Sequence, residues 1–198
     1  MLALMDDADA TIDDALTHNT DPDQEQEHFL EDLLFKYGSD KSHDDHSYSD
    51  MYQMIFNPIR QQVMNVTEVG VSAGQSLQAW YHYFPNAEIH GYDVVTPLSV
   101  PKIVEQMKDR IRFTQTDLLA VNQTMLAEVA GLYNETMDVV IEDAMHMPWQ
   151  QEAFLMHLWR LVKPGGFYII EDINPHWENA QRWLRHPERL NPVVRDIM

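Results

Sequence analysis

The sequence predicts an α/β fold: a doubly wound, mostly parallel sheet, preceded by N-terminal helices. Three observations carry this reading. Short apolar runs alternate with helical patterns from residue 65 to residue 170, and that alternation builds βαβ units with right-handed crossovers. The run Met137-Asp138-Val139-Val140-Ile141 is almost continuously apolar, as strands covered on both faces are. The first run, Asn65 to Val69, ends in Gly70 and Gly74, and a stripe of Leu77, Trp80, Tyr81 and Phe84 starts directly after it. That order is strand, glycine turn, helix.

In chain order, residues 1–23 are rich in Asp, Thr and Asn without an apolar period, and an acidic mobile arm is expected there. Residues 24–62 form an N-terminal helical segment. Phe29, Leu30, Leu33, Leu34 and Tyr37 make one helical stripe, closed by Gly38 as C-cap, and Met51, Tyr52, Ile55 and Phe56 make a second, ended or kinked by Pro58. The α/β domain is assigned to residues 63–198. After the first strand and its helix come a second strand at 87–93, a helix at 97–109, a third strand at 111–116 and a helix at 122–132. A fourth strand follows at 137–143, then a helix at 148–161, a turn at Lys163-Pro164-Gly165-Gly166, and a fifth strand from Phe167 to Ile170.

The chain has 198 residues, with Lys+Arg 13 against Asp+Glu 32 and a net charge of −19. Such an acid repels phosphate backbones and anionic membranes, so neither nucleic acid nor membrane is an expected partner. The absence of cysteine removes disulfides and thiolate metal sites. No stretch suits a bilayer span or a signal peptide, so a cytoplasmic location is expected.

Ligands of such sheets bind at the carboxyl ends of the strands, and acids collect there. Glu68 is near the end of the first strand, Asp93 ends the second, Asp117 follows the third, Glu142 and Asp143 end the fourth, and Glu171 and Asp172 end the fifth. His146 stands three residues after Asp143. The glycine turn lacks both the dinucleotide spacing G-x-G-x-x-G and the phosphate-loop lysine. Asp93 lies about twenty residues beyond it, where an acid binds a ribose. Clustered carboxylates need a compensating charge, and a hard divalent ion bound by oxygens would supply it. A neighbouring histidine would then accept a hydroxyl proton near neutral pH. Duller readings stand beside these: Glu68 pairing with a lysine, Asp93 and Asp117 as helix caps, and the strand-end acids as solvated loop charges.

The turn Glu68-Val69-Gly70-Val71-Ser72-Ala73-Gly74 resembles motif I of class I S-adenosylmethionine (SAM) dependent methyltransferases. Four further stretches share in a closer resemblance: Lys36-Tyr37-Gly38-Ser39-Asp40-Lys41-Ser42-His43, Tyr83-Phe84-Pro85-Asn86-Ala87, I-E-D-A-M-H at 141–146 and K-P-G-G-F-Y-I-I-E-D at 163–172. Together they are similar to the metal-dependent sugar O-methyltransferases of macrolide biosynthesis, of the mycinamicin VI 2''-O-methyltransferase type. The resemblance implies a Rossmann-like methyltransferase fold and O-methylation of a hydroxylated small molecule, with SAM and Mg²⁺ as cofactors. It places SAM on Glu68, Gly70, Ser72, Gly74, Asp93 and Asp117, Mg²⁺ on Asp143, Glu171 and Asp172, and the general base at His146. It also suggests Tyr37, Lys41 and Tyr48 as a lid over the cofactor.

Two departures from the family bear on these expectations. Glu142, Ala144 and Met145 stand where the family's D-D-G-S-H has Asp, Gly and Ser, and a positive φ at Ala144 would strain the loop. The chain also runs only about 26 residues past Asp172, where this fold continues through two more strands. An open sheet edge is therefore expected, as in a short member of the family, a fragment, or a chain that closes its sheet through a partner such as a second copy. These departures keep a second reading in view, a methyltransferase-fold protein that binds SAM or a partner without catalysis. The segment His43-Asp44-Asp45-His46 is expected to be a solvated loop, and Trp149, Trp159 and Trp177 are expected to serve packing.

Overall fold

The computed structural model of the chain describes residues 29–173. The acidic arm at 1–23, Trp177 and the residues beyond 173, on which the expected open edge depends, lie outside that range. Two helices open the described part, α1 (Phe29–Tyr37) and α2 (Ser49–Phe56). Then β1 (Asn65–Val69), α3 (Gln75–Tyr83), β2 (Glu88–Asp93), α4 (Val100–Gln106), β3 (Ile111–Gln115), α5 (Gln123–Ala130), β4 (Met137–Glu142), α6 (Pro148–Leu158), a 3₁₀ turn (Trp159–Leu161) and β5 (Val162–Ile170) follow.

The end of α1 shows how closely sequence dictates local structure. Gly38 takes a left-handed φ of 68°, its N–H donates to the Phe35 carbonyl at 3.0 Å, and the Ser39 N–H donates to the Leu34 carbonyl at 2.9 Å. These paired bonds are a Schellman closure, which glycine makes without Cβ strain. Helix α2 stops at Phe56, two residues before Pro58, whose missing N–H and ring cannot continue the helical ladder.

All five strands are parallel, in the order β3-β2-β1-β4-β5. The order reverses between β1 and β4, so the ligand crevice opens beside those two strands. Register brings the strand ends level, with Val69 opposite both Tyr92 and Glu142, and Glu142 opposite Ile170. Two apolar layers cover the sheet. On one face Leu30, Tyr52, Phe56, Leu77, Trp80 and Phe84 pack on Val66, Ile89 and Ile141. On the other, Leu126, Phe154, Leu158 and Leu161 pack on Val69, Tyr92 and Val140. Among the described residues no helix is long and apolar enough to cross a membrane.

The fifth strand corrects the sequence reading. It begins at Val162, so Lys163 to Gly166 lie within the strand and form a bulge rather than a preceding turn. Register jumps from Met137 opposite Val162 to Val139 opposite Phe167. Among the described residues β5 pairs only with β4, and an outer strand tolerates Pro164 and inserted residues that a central strand would reject. Asp138 anchors this end, accepting bonds from the Met64 and Asn65 N–H groups at 2.8 and 2.9 Å and from the Lys163 ammonium at 2.8 Å. Asp138→Ala is expected to lower stability by about 2 kcal/mol in chemical denaturation, since backbone donors lose a charged acceptor.

Candidate cofactor and metal site at the carboxyl edge of the sheet

The glycine turn hangs over the crevice in an unusual backbone conformation. Gly70, Ser72 and Gly74 have φ of 87°, 48° and 83°. Asp93 shapes it from the neighbouring strand: one carboxylate oxygen accepts the Val71 and Ser72 N–H groups at 3.0 and 3.3 Å, and the other accepts Val95 N–H at 3.1 Å. Asp117 accepts the Leu119 N–H at 3.0 Å. Glu68 lies wholly buried beneath the turn, accepting the Ser76 hydroxyl at 2.8 Å. Burial pushes its carboxyl up to about 8, against the opposing pull of the Lys41 ammonium.

Two cavities meet at this turn. The larger, about 510 Å³, is lined by Gly70, Asp93, Asp117, Leu118, Trp149 and Phe154 among others. The smaller, about 100 Å³, is lined by Ser39, Lys41, Gln75 and Ser76. Gly70, Ser72 and Asp143 line both. Trp149 therefore differs from its expected packing role: it is 58% exposed and forms part of the cavity wall. Trp159, equally exposed, is not a core residue either.

The acids beyond the turn divide into two groups. Glu171 is buried and faces inward, one oxygen 2.8 Å from the Lys41 ammonium and the other accepting the Tyr52 hydroxyl. Burial raises its carboxyl to about 7, with Lys41 opposing. Asp143, His146 and Asp172 form the other group, each offering one ligand atom within 4.8 Å of the others. His146 Nε2 is 2.9 Å from Asp143 Oδ1, and its Nδ1 is 3.4 Å from Asp172 Oδ2. Tyr48 donates its hydroxyl to Asp172 Oδ1 at 2.6 Å, and His46 Nδ1 approaches the same oxygen at 3.4 Å. So the loop read as solvated is exposed but sends His46 to the site. Of the metal set expected from sequence, the structure brings Asp143 and Asp172 together with His146, while both Glu171 oxygens are engaged elsewhere. Carboxylate oxygens suit a hard divalent ion, so the donor set fits Mg²⁺.

Three further placements differ from expectation. The positive φ falls on His146, at 54°, and on Asp172, at 48°, with Ala144 free of it. The loop thus turns two residues later than the family pattern suggests. Tyr37 stacks on His82 of α3, with centroids 5.7 Å apart and planes at 5°, which places it in helix packing rather than in a lid. Lys41, expected in the lid as well, is the residue of this site whose position the sequence did not reveal. The residue is 1% exposed, and its ammonium contacts Asp143 Oδ2, Glu171 Oε2 and, at 3.6 Å, Glu68 Oε1, with the exposed Asp40 carboxylate farther out at 3.9 Å. Burial works to lower its pKa, but the three carboxylates outweigh that and hold it above the usual lysine range. The scarcity of basic residues was the available signal, since any buried acid had few cations to pair with.

No family model matches the chain. Curated relatives do. The chain is 28% identical over 162 residues to 8-demethyl-8-α-L-rhamnosyl tetracenomycin-C 2'-O-methyltransferase of Streptomyces olivaceus, covering 77% of this chain and 40% of that protein. It is 30% identical over 151 residues to mycinamicin VI 2''-O-methyltransferase of Micromonospora griseorubida, covering 73% and 36%. Among solved structures it is similar to the MycE methyltransferase of the mycinamycin pathway in complex with Mg, SAH and mycinamycin VI, with a TM-score of 0.64 and 28% identity, over 76% of this chain and 41% of that one. The chain thus spans about two fifths of the length of these relatives. The fold is the Rossmann-like methyltransferase fold, and the chain resembles the macrolide-type sugar O-methyltransferases.

Proposed function

We propose that the chain serves SAM-dependent, Mg²⁺-dependent O-methylation of a hydroxyl on a sugar or similar small molecule. The observation that carries this reading is the meeting of the two cavities at the glycine turn, beside the cluster of Asp143, His146 and Asp172. The turn presents backbone at Gly70, Ser72 and Gly74 to a ligand, and the start of α3 adds its N–H groups. The smaller, acid-flanked cavity suits the charged amino-acid end of SAM, near Glu68. The larger suits the nucleoside, between Asp93 and Asp117, with Trp149 as a ring surface.

Asp143 and Asp172 would hold Mg²⁺. Glu171 would join them only by exchanging its bonds to Lys41 and Tyr52. When bound, such an ion acidifies and orients a hydroxyl. His146 would take the hydroxyl proton once one of its two carboxylate neighbours turns to the metal and frees a ring nitrogen. Methyl transfer from the SAM sulfonium would leave a neutral thioether, an ether and a protonated imidazole. The strongly acidic surface disfavours polyanionic acceptors, which agrees with a small neutral one.

Calorimetric titration of SAM into the purified chain, with and without Mg²⁺, tests this. Binding strengthened about fivefold or more by Mg²⁺ is expected, the scale of ordinary coupling between neighbouring sites, followed by methyl transfer in a screen of sugar acceptors. Binding indifferent to Mg²⁺, with no transfer, would favour the non-catalytic reading. Absence of binding in both conditions would remove the enzyme assignment.

A further inference from the structure

Three carboxylates on three neighbouring strand ends converge on one cation. Glu68 comes from β1, Asp143 follows β4, and Glu171 follows β5, while Lys41 enters from the loop between α1 and α2. That loop is fixed before the side chain reaches inward: the Lys41 carbonyl accepts the Tyr48 and Ser49 N–H groups at 3.1 and 3.2 Å, and the Asp40 carbonyl accepts His46 N–H at 2.8 Å. Without a cation here, two buried acids and a partly buried one would face each other at close range. The ammonium holds only Oδ2 of Asp143, and Oδ1 lies against His146.

We propose that Lys41 is the positioning residue of this site, a built-in counter-cation that ties Asp143 to Glu171 across β4 and β5 and leaves the second Asp143 oxygen facing His146. Its effect on a divalent ion rests on the reading under Proposed function. A metal and the ammonium draw on the same carboxylates, so Lys41 also limits how tightly the ion binds. Like charges nearby oppose a second cation as they oppose a proton.

The test uses Mn²⁺ as probe, its free concentration read by electron paramagnetic resonance, together with thermal unfolding in EDTA. Lys41→Met is expected to unfold at least about 5 °C lower in EDTA, to regain part of that loss in Mn²⁺, and to bind Mn²⁺ about tenfold more tightly, the equivalent of one unit of charge interaction. Lys41→Arg, which keeps the charge, should stay near wild type in both. A merely structural lysine would lower the melting temperature and leave Mn²⁺ affinity unmoved, and that result in folded Lys41→Met overturns the proposal. Should Lys41→Met fail to fold, the Lys41→Met/Glu171→Gln pair decides. The double variant is expected to fold, because removing a buried carboxylate charge lessens the need for the cation, and a double variant that stays unfolded overturns the proposal. A wild-type chain that binds no Mn²⁺ overturns the metal part of the proposed function instead. The double-variant comparison needs no metal and still judges Lys41.

Discussion

Asp143→Asn is expected to lose divalent-ion affinity about a hundredfold while the chain stays folded, because a first ligand should cost at least the upper range found for outer partners. Asp143 is where the site's features meet. It lines both cavities, its Oδ1 lies 2.9 Å from His146, and its Oδ2 contacts the Lys41 ammonium. Asparagine keeps the shape and can still accept a bond from Lys41, but it offers a metal a neutral and weaker oxygen. Stability should change little, since four carboxylates, the exposed Asp40 at 3.9 Å among them, share one ammonium in the native protein and removing one charge relieves repulsion. The checks are Mn²⁺ titration and a melting temperature within about 4 °C of wild type, a loss below roughly 1 kcal/mol for a domain of this size. A folded variant with unaltered Mn²⁺ affinity would take Asp143 out of the ligand set.

How far the sequence foretells this site depends on how local each feature is. The glycine turn, the five strands and the acids at their ends follow from patterns within a few residues, and parallel register then sets the acids on one edge. Lys41 could not be placed this way. Its partners lie 102 and 130 residues away, and only the packed N-terminal segment carries its side chain into the sheet edge. The start of β5 was obscured for another reason: Pro-Gly-Gly has the composition of a turn, but an outer strand absorbs it as a bulge. Trp149 has the helical spacing of a core residue, yet the start of α6 leaves it in the cavity wall. Glu171 is expected as a ligand from its position at the end of β5. Its direction depends on Tyr52 and Lys41, and both come from outside the strand motif.

Gly70→Ala is expected to cost about 2 to 5 kcal/mol, adding a left-handed backbone penalty to an overpacking penalty. The residue has φ of 87°, and a Cβ placed there would lie 2.0 Å from the Asp143 carbonyl oxygen and 2.5 Å from its carbon. Those atoms are backbone and have no rotamer to escape into. They are also fixed, because the Asp143 N–H donates to the Val69 carbonyl at 2.9 Å and continues the β1–β4 ladder to its end. The methyl group therefore forces apart the two strands that form the crevice, and it displaces Asp143 with them. Gly38→Ala separates conformation from contact, since Gly38 has φ of 68° with nothing within 4 Å of an added Cβ. It should lose only about 1 kcal/mol. Denaturant unfolding of both variants compares the two terms directly. Equal losses would mean that the turn yields at little cost and that contact between Gly70 and Asp143 does not fix the crevice. A larger loss at Gly70, together with weakened SAM binding in whatever fraction stays folded, would show that the turn and the acid at the end of β4 are one rigid unit.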